Sequence, residues 1–155
     1  MTGAGPLTLA ATAVAWDGRA VLIRGASGTG KSALALALMA WGCALVADDA
    51  VEISARAGRL LARSPPATRG LIEARFVGLL RADAVAEAEV AVVADLGERE
   101  RERLPPPREA RILDVPVPCL HDPATGHFAP ALLQYLKRGR AEPPSDPPPA
   151  PEGPP

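Results

Sequence analysis

Aromatic residues are scarce in this chain: two tryptophans, one tyrosine and two phenylalanines make up 3% of its 155 residues. A core must therefore be assembled from Ala, Val, Leu and Ile. An excess of either charge is also lacking. Seventeen Lys and Arg stand against eighteen Asp and Glu, for a net charge of -1, which excludes a strong electrostatic pull toward nucleic acid or anionic lipid. No run of about 18 apolar residues occurs, so no membrane-spanning helix is expected. The two cysteines, Cys43 and Cys119, lack the spacing of a metal site. They read as buried or free thiols of a reducing cytoplasm. Residues 1–16 carry no charged n-region, so no secretory signal is expected and the expected location is cytoplasmic. There is no internal repeat, and the abundance of Ala, Arg and Pro reads as coding bias.

Against this background one octapeptide stands out: Gly25-Ala26-Ser27-Gly28-Thr29-Gly30-Lys31-Ser32 matches G-x-x-x-x-G-K-[ST], the phosphate-binding P-loop. The apolar run Ala20 to Ile23 before it reads as a buried strand. Ser32 to Trp41, rich in Ala and Leu, reads as the helix after it. That order lets glycine backbone N–H groups turn inward around phosphate oxygens, with the helix N-terminus adding partial positive charge. In this pattern Lys31 reaches the β- and γ-phosphates of a nucleotide such as ATP, and Ser32 ligates Mg²⁺.

Elsewhere, Val14 to Trp16 and Arg19 to Ile23 are expected to pair as a hairpin across Asp17-Gly18. Gly42 should end the first helix, and Ala44 to Ala47 should form a strand ending at Asp48-Asp49. A second hairpin is expected across Ala57-Gly58, and Ser64-Pro65-Pro66 breaks regular structure. Leu71 to Arg75 reads as extended, Val77 to Leu80 as a strand, and Glu89 to Ala94 as a buried strand stopping at Asp95. Glu98 to Pro107 reads as a charged loop, Leu113 to Val117 as a short extended run, and Ala129 to Arg138 as a final helix closed by Gly139. These elements make residues 1–140 one P-loop domain. Residues 141–155 hold eight of the 18 prolines and form a disordered or polyproline II tail. That tail is either simply solvated or a ligand for a proline-binding module.

A P-loop alone says nucleotide, not reaction. Asp48-Asp49 lies about 17 residues after Lys31, at the end of a strand whose carboxyl end should face the same crevice. An aspartate pair this early suggests a kinase-like base for an attacking hydroxyl; the competing reading is a pair of strand-end turn residues. Glu73 and Arg75 are two residues apart, which on an extended segment puts both on one face. Glu73 then ligates Mg²⁺ and Arg75 faces phosphate, or the two form an exposed ion pair of little consequence.

Three stretches together resemble the catalytic domain of HPr kinase/phosphorylase: Val21 to Gly25 with the P-loop, Leu45 to Val51, and Arg69 to Arg75. Glu102-Arg103-Leu104 and Asp114 to Pro118 are weaker matches, and the resemblance covers about residues 9–120. It is to the short form that keeps only the kinase core. The resemblance implies an α/β fold like that of phosphoenolpyruvate carboxykinase, a mixed, strongly twisted sheet with few helices. It implies an ATP- and Mg²⁺-dependent serine kinase acting on an HPr-type phosphocarrier protein of the phosphotransferase system, with a reverse phosphorolysis, and a homohexamer. By position, Lys31 is the phosphate-gripping lysine, Ser32 and Glu73 the Mg²⁺ ligands, and Asp49 the general base, with Asp48 as its neighbour and fallback. Arg103 falls where the family has a catalytic arginine.

The chain departs from the family in four places. Ala10 stands where the family has a histidine that adjusts the catalytic aspartate, the loop before Glu73 is shorter than the family's, Phe76 replaces a glycine, and the segment after Pro118 diverges. His121 and His127 in that segment are given no role. The departures favour an alternative, an ATP-binding sensor that has lost phosphoryl transfer. A small-molecule kinase on the same scaffold ranks last, because little chain is left over for a lid.

Overall fold

The computed structural model describes residues 5–141. All but the first residue of the proline-rich tail expected at 141–155 lies outside the described residues. Eleven strands and two α-helices follow one another as β1 Leu7–Leu9, β2 Ala11–Trp16, β3 Arg19–Arg24, α1 Lys31–Ala40, β4 Ala44–Ala47, β5 Val51–Arg56, β6 Arg59–Arg63, β7 Leu71–Ala74, β8 Gly78–Arg81, β9 Ala88–Arg99, β10 Glu109–Ile112, β11 Val115–Asp122 and α2 Phe128–Arg138.

Nine of the strands join one mixed sheet in the order β1-β5-β6-β9-β3-β2-β4, with β11 parallel to the later part of β9 and β10 paired outside β11. The strands β7 and β8 form a separate hairpin. The P-loop strand β3 sits centrally, antiparallel to β2 and parallel to β9. Because β2 is also antiparallel to β4, the strands β3 and β4 run the same way and their carboxyl ends open on the same side.

Side chains of β3 alternate between two cores, as strand geometry requires. Val21 and Ile23 face Leu38 of α1 and Leu132, Leu133 and Leu136 of α2. Ala20 and Leu22 face a second cluster that also takes Ile53 and Leu60 from one wing of the sheet and Ala110, Ile112 and Val117 from the other. Two wings reaching one cluster means that the sheet curls around it. Eight of the buried members of that inner cluster are alanines, among them Ala11, Ala13, Ala15 and Ala20. The alanine abundance that read as coding bias thus lines the inside of the curl, where short side chains let strands approach. Bulges between Ala20 and Val21 and between Ala13 and Val14 add local twist at the same place.

Three expectations need correction. The ninth strand does not stop at Asp95 but runs on to Arg99, because pairing with β11 continues after the apolar pattern ends. Glu73 and Arg75 do not share an extended segment: β7 ends at Ala74, Arg75 lies in the turn, and Phe76 takes φ 68°. The run Leu113 to Val117 is a hairpin turn plus the start of β11, with Leu113 and Asp114 at φ 49° and 61°. Pro116 and Pro118 are tolerated in β11 because Cys119 N–H points toward the β10 side, to Arg108 O. Residues of the opposite parity therefore point away from β10, where no N–H is required before pairing with β9 begins at Cys119.

Candidate active site

The P-loop leaves β3 at Gly25 and enters α1 at Lys31. Gly25, Gly28 and Gly30 take φ 153°, 88° and 99°, conformations that side chains rarely adopt. Ala26, Ser27, Gly28, Thr29 and Gly30 are exposed, so the loop backbone is open to a ligand. Thr29 closes the turn internally, through both its N–H and its hydroxyl to Ala26 O at 3.1 and 2.7 Å. No side chain caps α1 and no acid sits in its first turn, which leaves its first N–H groups available to an anion. Lys31 Nζ donates to Gly25 O at 2.7 Å and Ala26 O at 3.3 Å, holding the ammonium against its own loop.

Asp48, only 8% exposed, is the hub beside this loop. Its Oδ1 accepts from Ser32 Oγ at 2.7 Å and from Thr12 Oγ1 at 2.9 Å, and its Oδ2 accepts from the Glu73 backbone N–H at 3.0 Å. One carboxylate thereby joins β2, the start of α1, the end of β4 and the β7–β8 hairpin. Asp49 is different. It takes φ 68°, its N–H donates to Thr12 Oγ1 at 3.4 Å, and its side chain is exposed. The sequence-predicted Lys31, Ser32, Asp48, Asp49 and Glu73 are thus brought together. Arg103 is placed in the exposed loop after β9 and Ala10 is exposed between β1 and β2.

Sequence reasoning missed Thr12. The available signal was a lone polar residue in the apolar run Ala11 to Val14. It also missed Asp95, in the later half of β9, which accepts from Arg24 Nε at 3.1 Å and from Gly97 N–H at 2.8 Å. That pair fixes the residue just before the P-loop to the neighbouring strand. Farther along, Arg108 makes two 2.9 Å bonds to Glu100, and this guanidinium holds the Glu100 carboxyl down at about 2. Burial pushes the Cys43 and Cys119 thiols above their ordinary value.

The donor set suits a magnesium ion shared with phosphates. Among the described residues no three His, Cys, Asp or Glu side chains gather as an all-protein metal cage. A serine hydroxyl backed by a carboxylate, with the backbone of Glu73 bonded to the same carboxylate, fits a small ion that keeps water and phosphate in its shell. Two clefts of about 300 and 320 Å³ lie between β9, β10 and β11 and their neighbours, and no P-loop residue lines either.

Residues 7–95 match the family described as HPr Serine kinase C-terminal domain. The match ends before Arg103. HPr kinase/phosphorylase from Clostridium tetani is 48% identical over 63 residues, 41% of this chain and 21% of that protein. The Bordetella petrii HPr kinase/phosphorylase is 52% identical over 64 residues, again 41% of this chain and 21% of that protein. Each aligned stretch therefore spans about a fifth of the relative's length. Among solved structures, the Hpr(Ser) kinase/phosphatase from Coxiella burnetii superposes with a TM-score of 0.72 at 29% identity, covering 85% of this chain and 88% of that one.

Proposed function

We propose, because this chain belongs to the HPr Serine kinase C-terminal domain family, that it transfers the γ-phosphoryl group of ATP to a serine hydroxyl of an HPr-type phosphocarrier protein. The observation that carries this reading is the division of labour between the two aspartates. Asp48 is spent on three hydrogen bonds, one of them from the P-loop serine. Asp49 is held in an exposed turn beside it, with its carboxylate outward.

Lys31, released from the Gly25 and Ala26 carbonyls, grips the phosphates together with the backbone N–H groups of residues 25–32. Ser32 and Glu73 are the residues that would hold Mg²⁺, which would supply positive charge to neutralise the phosphates. Asp49 accepts the proton of the serine hydroxyl as its oxygen bonds to γ-phosphorus, while the bond from γ-phosphorus to the bridging oxygen breaks and ADP leaves. Arg103 is proposed as a catalytic arginine by its position in the resemblance. The reverse phosphorolysis and a homohexamer belong to the same reading, and light scattering checks the latter.

A second reading, an ATP-binding sensor without transfer, draws on Ala10 and on Phe76, which stands fully exposed at the β7–β8 turn. Incubation with radiolabelled Mg²⁺-ATP and HPr-type carriers separates the two. Label on a carrier serine that is lost in Asp49→Asn supports the kinase. ATP binding by calorimetry with no label on any carrier supports the sensor.

A further inference from the structure

Among the described residues, the Thr12 side chain hydrogen-bonds to both aspartates. Thr12 is buried with 0% exposure at the second position of β2, in a strand otherwise made of Ala, Val and Trp. Burying a hydroxyl in such a strand costs free energy unless it is bonded, and here both of its capacities are used. Its hydrogen goes to Asp48 Oδ1 at 2.9 Å, and its lone pair takes the Asp49 N–H at 3.4 Å. Asp48 Oδ1 receives the Ser32 hydroxyl at 2.7 Å as well.

We infer that Thr12 is a positioning residue: it orients Asp48 behind the Ser32 hydroxyl and holds the Asp49 backbone in its left-handed turn. The two bonds have separate consequences. The first fixes the carboxylate plane, so that the Ser32 oxygen keeps a lone pair facing the metal and phosphate side. The second supports a non-glycine residue at φ 68°, a strained conformation that persists only where neighbours over-determine it. The inference rests on the proposed roles of Ser32 and Asp49 and adds to them a residue that touches neither substrate.

The test compares Thr12→Val, which keeps the shape and removes the hydroxyl, with Thr12→Ser, which keeps the hydroxyl. Thr12→Ala serves if the valine variant fails to fold, since alanine already occupies positions 11, 13 and 15 of the strand. Calorimetry measures ATP affinity with and without Mg²⁺, and a transfer assay separates kcat from the KM for the carrier. The expected result is a loss of about tenfold or more in the Mg²⁺-dependent part of the ATP affinity, as for other groups that orient a metal ligand. Magnesium-free binding should be unchanged and Thr12→Ser should behave as wild type. In the transfer assay kcat should fall with little change in KM. Valine or alanine variants that melt earlier yet keep both the Mg²⁺ increment and kcat would overturn the inference, leaving Thr12 a satisfied core hydroxyl. A wild-type ATP affinity indifferent to Mg²⁺ would overturn it too. Absence of transfer by the wild type would sink only the kinase reading, because the Mg²⁺ arm still decides on Thr12.

Discussion

A Cβ on Gly25 would lie 2.7 Å from Thr29 Oγ1 and 3.2 Å from Leu96 Cβ, at φ 153°. The hydroxyl could swing away, but it holds the loop through Ala26 O, and the Leu96 Cβ is fixed to its strand. Gly25→Ala should therefore displace the P-loop backbone and lower ATP affinity by at least about tenfold, equivalent to roughly 1.4 kcal/mol. Calorimetry on the folded variant reads this, and an unchanged affinity would mean that the loop tolerates the methyl group. Phe76 is the opposite case, since it is fully exposed and takes φ 68°. A side chain in that conformation costs about 1–2 kcal/mol, against about 0.5–1 for the extra freedom of glycine when unfolded. Phe76→Gly should thus stabilise by up to about 1 kcal/mol in urea denaturation. A clear destabilisation would show that Phe76 packs against something in solution.

At the scale of elements, what could be read from the sequence depended on turn chemistry. The hairpin turns Asp17-Gly18 and Ala57-Gly58 each carry a glycine at their second residue, at φ 79° and 76°, and both were legible. Leu113-Asp114 makes a turn with the same left-handed pair but no glycine, and the prolines after it hid β11. The later part of β9 was illegible for another reason: it is held by main-chain pairing with β11 and has no apolar alternation to betray it.

Where β9 ends, Glu100 and Arg108 take over the connection, with the Glu100 side chain 8% exposed and the arginine 30%. The Glu100 carboxyl is lowered from 4.5 to about 2, chiefly by the hydrogen bonds from Arg108. A lowered carboxyl contributes stability that is complete above the unfolded value and is lost as pH falls through the folded one. The wild type should therefore lose stability between pH 4.5 and about 2 more steeply than Glu100→Gln, and the two should respond alike to pH from 5.5 to 7. Melting temperatures across that range check it; parallel curves down to pH 2 would show that the pair does not act in solution.

In the whole molecule, the P-loop and its carboxylates were legible because their chemistry demands fixed residue types at fixed spacing. The Thr12 link was not, because it joins β2 to β4 across 36 positions of sequence and exists only once the sheet has formed. The same dependence on the whole sheet governs stability. Both cores are built on β3, with Leu22 pointing into the inner cluster and Val21 and Ile23 into the helical one. Neither face can open without disturbing the strand that carries the P-loop. Leu22 is fully buried, and Leu22→Ala should cost about 2–5 kcal/mol by removing methyl groups and leaving a cavity. Trp16 packs on the other face, against the helical core, where Lys137 Nζ lies 4.5 Å from its ring. If the sheet unfolds as one unit, Leu22→Ala should lower the midpoint of the Trp fluorescence transition and that of the far-ultraviolet dichroism transition by the same amount. A fluorescence midpoint that stays at the wild-type value while dichroism shifts would instead mean that the helical face unfolds separately, and that the P-loop is anchored by the helices more than by the curled sheet beneath it.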